Sequence, residues 1–252
     1  DNANGINMTA AQFNALDTLL LAEDTINVID TAAGIQAELS TLVTNVAQID
    51  AINASDNANG INMTAAQFNV LGSKLVAEDN IVIVDDETGI EAQLNNILTH
   101  ANFANLDTIN CSDAGFDMTA TQAATVGLGG KITAADVITI AATINGAQTI
   151  ETGVFTGDDV ITLSALAITG ATGYSAYSGG GPTEVTGNGA TVELVVGAGA
   201  QVASFAQAAL LFNTTSGELT FDPDGTGVET ATTVVTLIGV AALTAGEFTF
   251  IV

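Results

Sequence analysis

A 55-residue internal repeat dominates the first half of the chain and limits the folds that it can adopt. The segment DNANGINMTAAQFN occupies Asp1–Asn14 and recurs at Asp56–Asn69. The segment Ala22–Leu39 returns at the same offset as Ala77–Leu94, and a third, more divergent copy begins at Leu106–Asp113. Tandem copies of this length typically stack, so that each unit buries its apolar face against its neighbours.

Each copy alternates between helix-like and strand-like segments. Apolar residues recur at helical spacing in both halves of the repeat: Phe13, Leu16 and Leu20; Ile35, Leu39, Leu42, Val43 and Val46; Phe68, Leu71 and Leu75; Ile90, Leu94, Ile97 and Leu98. A capping-box pattern marks helix starts at Thr9, Thr64 and Thr119, each with a glutamine in the third helical position. The β-branched runs INVID, IDAIN, IVIVD, DTINC and VITIA predict strands between the helices.

This alternation predicts an α/β repeat solenoid over residues 1–148, in which stacked parallel strands are flanked by helices. Ile26, Val28, Ile81 and Ile83 are expected to face inward and to align between copies. A doubly wound open sheet is the alternative α/β fold. Near-identical copies favour the one-dimensional stack over that alternative.

The composition changes after about Gln148, where glycine and threonine become frequent and the helical stripes stop. The short alternating runs VITLSAL, TVELVVG, GELTFD, TVVTLIGV and FTFIV predict strands. Turn sequences separate them, among them SGGGPT at Ser178–Thr183 and DPDGTG at Asp222–Gly227. Residues 149–252 are therefore expected to form a β-rich C-terminal module.

The charge is strongly one-sided and excludes one class of partner. The chain has 28 acidic residues against two lysines, Lys74 and Lys131, and its formal net charge is -26. Because no basic patch can neutralise phosphates, nucleic acid is excluded as a partner, and anionic membrane surfaces are disfavoured. Two explanations of the acidity stay open: binding of divalent cations, above all calcium in an extracellular medium, and simple solubility.

Catalytic residue patterns are missing from the sequence. His100 is the only histidine and Cys111 the only cysteine, which rules out a multi-histidine metal site and an intramolecular disulfide. The G-x-S-x-G sequence of serine hydrolases does not occur. The adjacent pairs Asp85–Asp86 and Asp158–Asp159 lie in turn-like contexts. We therefore expect that the protein is not an enzyme, and no apolar run is long enough to predict a transmembrane segment.

The stretch Leu211–Val252 resembles the C-terminal module of repeats-in-toxin (RTX) proteins and related bacterial surface-layer proteins exported by type I secretion. The resemblance rests first on an F-N-x-x-x-G-x-L-x-F-D-x-D-G-x-G hairpin pattern, matched by Phe212, Asn213, Gly217, Leu219, Phe221, Asp222, Asp224, Gly225 and Gly227. A following segment is matched by Leu237, Gly239, Val240, Leu243, Ala245 and Phe248. The resemblance implies an uncleaved C-terminal export signal, the type I secretion machinery as a partner, and an extracellular or cell-surface location on a bacterium.

Four aspartates are candidate calcium ligands. Asp158 and Asp159 lie in Gly157–Ile161, which matches half of the calcium-binding nonapeptide that the resembled family carries. Asp222 and Asp224 lie in the sequence FDPDGTG, where carboxylates and a turn carbonyl could ligate the ion. The alternative at both places is an ordinary turn beside a strand.

Two function classes follow from these features. The first is a secreted structural protein that assembles with copies of itself, end to end, into a surface layer, sheath or filament. The second is a calcium-dependent adhesin or ligand-binding surface module. Self-association of so acidic a chain requires cations that screen or bridge its carboxylates, which makes calcium the expected cofactor in both cases.

Overall fold

The computed structural model describes residues 5–16, 19–21, 23–179 and 183–252. The chain divides into two compact units, Asp1–Ala114 and Gly115–Val252. The first unit holds the first two copies of the repeat. The compositional change near Gln148 falls inside the second unit, because the strands of the third copy pair with strands from later in the chain.

The first unit contains two three-stranded parallel sheets, one for each copy of the repeat. The first copy forms β1 (Ile6–Met8), α1 (Ala10–Leu16), β2 (Ile26–Asp30), α2 (Ala32–Ala37), α3 (Leu39–Thr44) and β3 (Ala51–Ala54). The second copy forms β4 (Ile61–Met63), α4 (Ala65–Leu71), β5 (Ile81–Asp85), α5 (Glu87–Leu98) and β6 (Thr108–Cys111). Parallel pairing joins β1 to β2 and β2 to β3, and likewise β4 to β5 and β5 to β6. The predicted parallel strands of this unit are confirmed.

Apolar side chains form matching rows across the two sheets. Val28 is in register with Ile52, as Ile83 is with Ile109. Ile26, Val28, Ile81 and Ile83 are 0% exposed, which confirms that they face inward. Because parallel strands keep one register from copy to copy, each row buries branched residues against branched residues.

The helices begin where the capping boxes predict. Thr64 accepts a hydrogen bond from the Gln67 N–H through its hydroxyl, and the Gln67 side chain accepts one from the Thr64 N–H. The same reciprocal pair occurs at Thr9 and at Thr119. The single helix expected over Ile35–Val46 is interrupted at Glu38, whose φ of -113° and ψ of 10° lie outside the helical range. Its counterpart α5 is continuous.

Carboxylates of later segments accept hydrogen bonds from the starts of earlier strands and helices. The Oδ2 atom of Asp50 accepts the N–H of Ile26, and that of Asp107 accepts the N–H of Ile81, both at 2.8 Å. Six described carboxylates of the first unit make such bonds across 20 to 26 residues: Asp30, Asp50, Asp56, Asp85, Asp107 and Asp113. A seventh, Asp79, accepts the N–H of Ala54 at the end of β3, 25 residues earlier. The first turn of a helix has N–H groups without intrahelical partners, and these carboxylates satisfy several of them.

Asp85 shows how closely one of these carboxylates fits. Its Oδ2 accepts the N–H of Ala65 at the start of α4 (3.0 Å), and its Oδ1 accepts the N–H of Asp86 (3.1 Å). A Cβ atom on Gly89 would lie 2.5 Å from this carboxyl group, and one on Gly34 would lie 2.5 Å from the equivalent carboxyl of Asp30. Glycine is therefore needed at this place in both copies, since any side chain would displace the carboxylate.

Asp79 is the least satisfied member of the set. It is 2% exposed, and its Oδ1 accepts the N–H of Ala54 at 2.8 Å. Its Oδ2 is buried and has no hydrogen-bond partner among the described residues. Burial raises the pKa of this carboxyl.

Related aspartates in the second unit have a partner that Asp79 lacks. The Thr133 hydroxyl donates to Asp136 at 2.5 Å, and the Thr156 hydroxyl donates to Asp159 at 3.2 Å. Each threonine precedes its aspartate by three residues. The residue at that position before Asp79 is Val76, which has no hydroxyl.

The second unit combines a parallel sheet with a mixed sheet. Its elements are β7 (Gly115–Thr119), α6 (Ala120–Ala123), β8 (Val137–Ala141), β9 (Gln148–Ile150), β10 (Val160–Ser164), α7 (Ala165–Thr169), β11 (Glu184–Gly187), β12 (Ala190–Gly197), β13 (Ala209–Asn213), β14 (Glu218–Asp222), β15 (Thr232–Leu237) and β16 (Phe248–Ile251). The parallel sheet has the order β16-β10-β8-β7, and the mixed sheet has the order β11-β12-β13-β14-β15-β9. Each run predicted as a strand in this region contains one, and the predicted turn at Ser178–Thr183 lies partly outside the described residues.

The apolar segment FTFIV is part of the core of the second unit. As β16 it runs parallel to β10, with Phe248 beside Ile161 and Phe250 beside Leu163. Phe248 is 7% exposed and Phe250 is 3% exposed. The segment that the resemblance identifies with an export signal therefore also completes a sheet.

Replacing Val76 with threonine should stabilise the protein, because the new hydroxyl can donate to the unpartnered Oδ2 of Asp79. We expect Val76→Thr to raise the free energy of unfolding by about 1 kcal/mol, as measured by urea denaturation at neutral pH. The reciprocal variant Thr133→Val removes the donor from Asp136 and should lower it by a similar amount. A loss of stability in Val76→Thr together with no loss in Thr133→Val would contradict this interpretation.

Candidate functional site

The acidic turn that follows β14 carries two of the four candidate calcium ligands. Asp222 ends the strand, and its Oδ1 accepts the N–H groups of Gly225 (2.8 Å) and Asp224 (3.3 Å). The strand forms an antiparallel hairpin with β13, as the C-terminal resemblance implies. The hairpin thus holds the turn Asp222–Glu229 at one end of the mixed sheet.

Asp224 turns its carboxylate toward the backbone of the same loop. Its Oδ2 accepts the N–H of Val228 (2.7 Å) and the N–H of Glu229 (3.2 Å). Its Oδ1 is buried and has no hydrogen-bond partner among the described residues. A buried carboxylate oxygen without a donor is costly, and a bound cation or an ordered water would relieve that cost.

Two glycines allow the turn to close this tightly. Gly225 has a φ of +64°, and a Cβ atom there would lie 2.1 Å from the carbonyl oxygen of Phe205. A Cβ atom on Gly227 would lie 1.8 Å from the Oδ2 of Asp224. Both positions therefore exclude side chains, which explains the glycine spacing in FDPDGTG.

The two carboxylates of the turn affect each other. Burial raises the pKa of Asp222, and the charge of Asp224 raises it further. A divalent cation between them would remove this repulsion. Within either unit, no three described carboxylate, histidine or cysteine side chains bring their ligand atoms within 4.8 Å of one another. A calcium ion at the turn would therefore take its other ligands from backbone carbonyl groups and water.

A small cleft adjoins the acidic turn. Its volume is about 230 Å³, and its lining includes Phe221, Pro223, Glu229 and Thr230. This volume is below the roughly 300–1,000 Å³ of typical small-molecule sites. The cleft combines an aromatic ring, a carboxylate and hydroxyl groups, so it can accept a small polar ligand.

Asp158 and Asp159 occupy very different surroundings. Asp158 is exposed, whereas Asp159 is 1% exposed. The Oδ1 of Asp159 accepts the N–H of Ile138 on the neighbouring strand, and its Oδ2 accepts the N–H of Thr156, both at 2.6 Å. Burial raises the pKa of Asp159. Both of its oxygens are already bonded to the backbone, in the manner of the inter-segment carboxylates of the first unit.

The residues considered for catalysis pack in the core or cap a helix. The ring of His100 packs on Phe68 with 4.8 Å between ring centroids, its Nδ1 accepts the N–H of Asn102, and burial lowers its pKa. Cys111 is 4% exposed on β6. Asp86 caps α5 by accepting the N–H of Gly89 at 2.7 Å.

A second candidate site is an apolar surface on the first copy of the repeat. Ile6 is 46% exposed, Leu16 40%, Leu19 75% and Leu21 55%. These four residues are referred to as the open face. A groove of about 380 Å³ lies along it and is lined by Ile6, Met8, Leu16 and neighbouring small or polar side chains. Ile6 and Leu16 share this groove, and exposed apolar residues that lie together mark interaction surfaces.

Sequence reasoning predicts an exposed apolar end for end-to-end assembly, but it did not identify the residues of the open face or the cleft residue Glu229. Leu16 belongs to the same helical stripe as the buried Phe13, so its spacing predicts burial. The available signal was Leu19, which stands where the second copy has Lys74. An apolar residue that replaces a charged one within a repeat indicates a changed environment.

The ionisation of Asp222 should reduce stability as the pH rises above about 4 in a buffer that contains a calcium chelator. The pKa of Asp222 is raised in the folded protein, so its contribution to stability is complete below its unfolded-state pKa and is lost as the pH rises through its folded-state pKa. Asp79 and Asp159 act in the same direction. We expect Asp222→Asn to make the midpoint temperature of thermal unfolding depend less steeply on pH.

The matched control for this measurement is Asp158→Asn, at an exposed position of equal charge. It should leave the contribution of Asp222 unchanged and reduce only that of Asp159, whose pKa the Asp158 charge helps to raise. A profile for Asp222→Asn that is as steep as that of the unaltered protein would show that this carboxyl is not strained by its surroundings.

Among the described residues, no helix is long and apolar enough to cross a membrane. The likeness of the C-terminal segment to exported surface proteins rests on the motif residues alone. Comparison with known proteins found no matching family model, no matching curated protein and no matching solved structure.

Proposed function

We propose that this chain is a secreted structural protein of a bacterial surface, whose copies assemble end to end into a layer, sheath or filament. In this proposal residues 1–148 form an α/β solenoid, and residues 149–252 form the β-rich module that carries the type I export signal. The chain acts as a building element and not as an enzyme. The open face is the single observation that carries the proposal.

Continuity between the first two copies supports the solenoid. The Ile52 N–H on β3 donates to the Lys74 carbonyl oxygen (2.7 Å), and the Val76 N–H donates to the Ile52 carbonyl oxygen (3.2 Å). A segment of the second copy thereby pairs in parallel with the last strand of the first. Repeats that are joined in this way bury each other's faces.

The open face supports assembly because its exposure is unfavourable in water. Burying a leucine or isoleucine side chain stabilises a protein by roughly 1.5–3 kcal/mol. Three leucines and an isoleucine exposed together therefore provide a driving force for contact with another apolar surface. A contact between unlike faces is heterologous and propagates, as a filament or lattice requires.

Charge opposes this association and makes it dependent on cations. A net charge of -26 repels a second copy at low ionic strength. Salt shortens the range of that repulsion, and calcium can neutralise carboxylates directly. The turn at Asp222 and Asp224 is our preferred calcium position, because one carboxylate oxygen there is buried without a partner. Calcium binding at this turn would release protons, since it favours the ionised carboxylates.

The alternative function is a calcium-dependent adhesin or ligand-binding surface module. The cleft of about 230 Å³ beside the acidic turn favours it, because Glu229 lines the cleft and also donates its N–H to Asp224. Such a cleft suits a small polar ligand such as a sugar. In this case the protein would bind its ligand as a monomer.

Light scattering of the purified protein should increase when millimolar calcium or high salt is added, and chelation should reverse the effect of calcium. Leu16→Asp places a charge in the open face and should abolish the increase under both conditions. Asp224→Asn should weaken the response to calcium and leave the response to salt unchanged.

Leu166→Asp is the matched control, because Leu166 is 76% exposed on α7 and lies outside the open face. It should scatter like the unaltered protein. A protein that stays monomeric at every calcium and salt concentration would refute assembly and leave the adhesin function as the better explanation.

A further inference from the structure

A second cleft of the C-terminal unit is separate from the acidic turn. Its volume is about 420 Å³. One wall contains Phe155 and Gly157, the other is formed by residues 239–242 after β15, and Glu247 also lines it. The volume lies within the roughly 300–1,000 Å³ of sites that bind small molecules. The cleft is therefore large enough for a compact ligand.

Glu247 provides this cleft with a buried carboxylate. The residue is 9% exposed, and its Oε2 accepts the N–H of Thr244 in the capping box of a short 3₁₀ helix, Ala245–Glu247. Its Oε1 has no hydrogen-bond partner among the described residues. A carboxylate oxygen with so little access to water gains stability from a donor, and the cleft is the open space in which a donor can lie.

The backbone of residues 239–242 adds further polar groups to the cleft. Neither the N–H nor the C=O groups of this segment form a hydrogen bond with any residue in the described part of the chain. Its carbonyl oxygens are therefore available as acceptors for a ligand. The cleft thus combines one carboxylate with several neutral acceptors.

The charges around the cleft indicate which ligand fits. Among the described residues that line it, Glu247 is the only charged one, and neither of the two lysines is in the lining. Calcium takes six to eight oxygen ligands and usually several carboxylates, so a single carboxylate favours a monovalent cation. A primary ammonium group carries one charge and three donors. The ring of Phe155 in the wall favours such a cation as well.

We propose that this cleft is a binding site for a primary ammonium group on a compact ligand. The ammonium group donates to Oε1 of Glu247 and to carbonyl oxygens of residues 239–242, and the ring of Phe155 stabilises its charge. An amino sugar and a lysine side chain both present this chemistry. The site goes beyond the proposed function, because it does not require that copies of the chain assemble.

The test is a titration of the full chain by ¹H–¹⁵N NMR at about pH 6.5, where amines are protonated. The probes are glucosamine, N-acetylglucosamine and Nα-acetyl-lysinamide. We expect the two amines to shift the amide signals of Gly157 and Gly239 along saturating curves. N-acetylglucosamine has the same sugar ring without the charge and should not shift them. The amine with the lower Kd identifies the source of the ammonium group as a sugar or a lysine side chain.

Glu247→Gln removes the charge and keeps an oxygen that can accept the Thr244 N–H, since glutamine also completes a capping box. It should leave the urea midpoint unchanged and weaken binding of the amines by at least about tenfold. Asp158→Asn is its control, because it removes an equal charge at an exposed position outside the lining. This control should bind the amines like the unaltered protein.

Gly157→Leu tests the position of the ligand. A Cβ atom on Gly157 would meet no atom within 4 Å, so the new side chain can extend into the cleft without displacing the protein. It should abolish binding of both amines. Gly130→Leu is its control, because a Cβ atom there also meets nothing within 4 Å and Gly130 does not line the cleft.

Equal binding of glucosamine and N-acetylglucosamine would overturn the proposal, as would full binding by a folded Glu247→Gln variant. Calcium chloride that shifts the same amides at lower concentrations than either amine would also overturn it, because the preferred occupant would then be a metal ion. The absence of any shift with both amines at roughly 100 mM would show that the cleft is not an ammonium site.

Discussion

Hydrogen bonds from backbone N–H groups to carboxylates of a later segment are the interaction on which the parallel sheets of the first unit depend. Parallel strands joined by helices leave N–H groups unsatisfied at each strand and helix start. In this chain an aspartate 20 to 26 residues later supplies the acceptor, as Asp50 does for Ile26 and Asp85 does for Ala65. Bonds of the same kind join the two copies, because Asp56 and Asp79 of the second copy accept the N–H groups of Ala32 and Ala54 of the first.

This role offers a third explanation of the acidity, beside solubility and calcium. Many aspartates accept backbone donors, so they need no basic partner, and a chain with two lysines can still satisfy buried carboxylates such as Asp159. The arrangement is unfavourable where a buried carboxylate oxygen has no hydrogen-bond donor. Asp79 and Asp224 each keep one buried oxygen without a partner among the described residues, and of the two only Asp224 lies in a glycine-rich turn.

Much of the fold could be predicted from the sequence. The helical spacing of apolar residues, the β-branched runs and the capping-box pairs are local signals that predict helices, strands and helix starts. The strands around Val28 and Ile83 and the helix start at Thr64 are examples. The sites could not be predicted in the same way. The exposure of Leu16 and the burial of Leu71 differ although their helices share the segment AAQFN, since exposure depends on a neighbour and not on local sequence.

Hydrogen exchange of the Ala65 amide in Asp85→Ala tests the role of the carboxylates most directly. Removing this carboxylate should lower the free energy of unfolding by about 2 kcal/mol and speed exchange at Ala65 by at least about tenfold. Glu87→Ala, at an exposed acidic position, should leave exchange at Ala65 unchanged and change the free energy of unfolding far less. Exchange at Ala65 that stays as slow in Asp85→Ala as in the unaltered protein would contradict a structural role for these carboxylates.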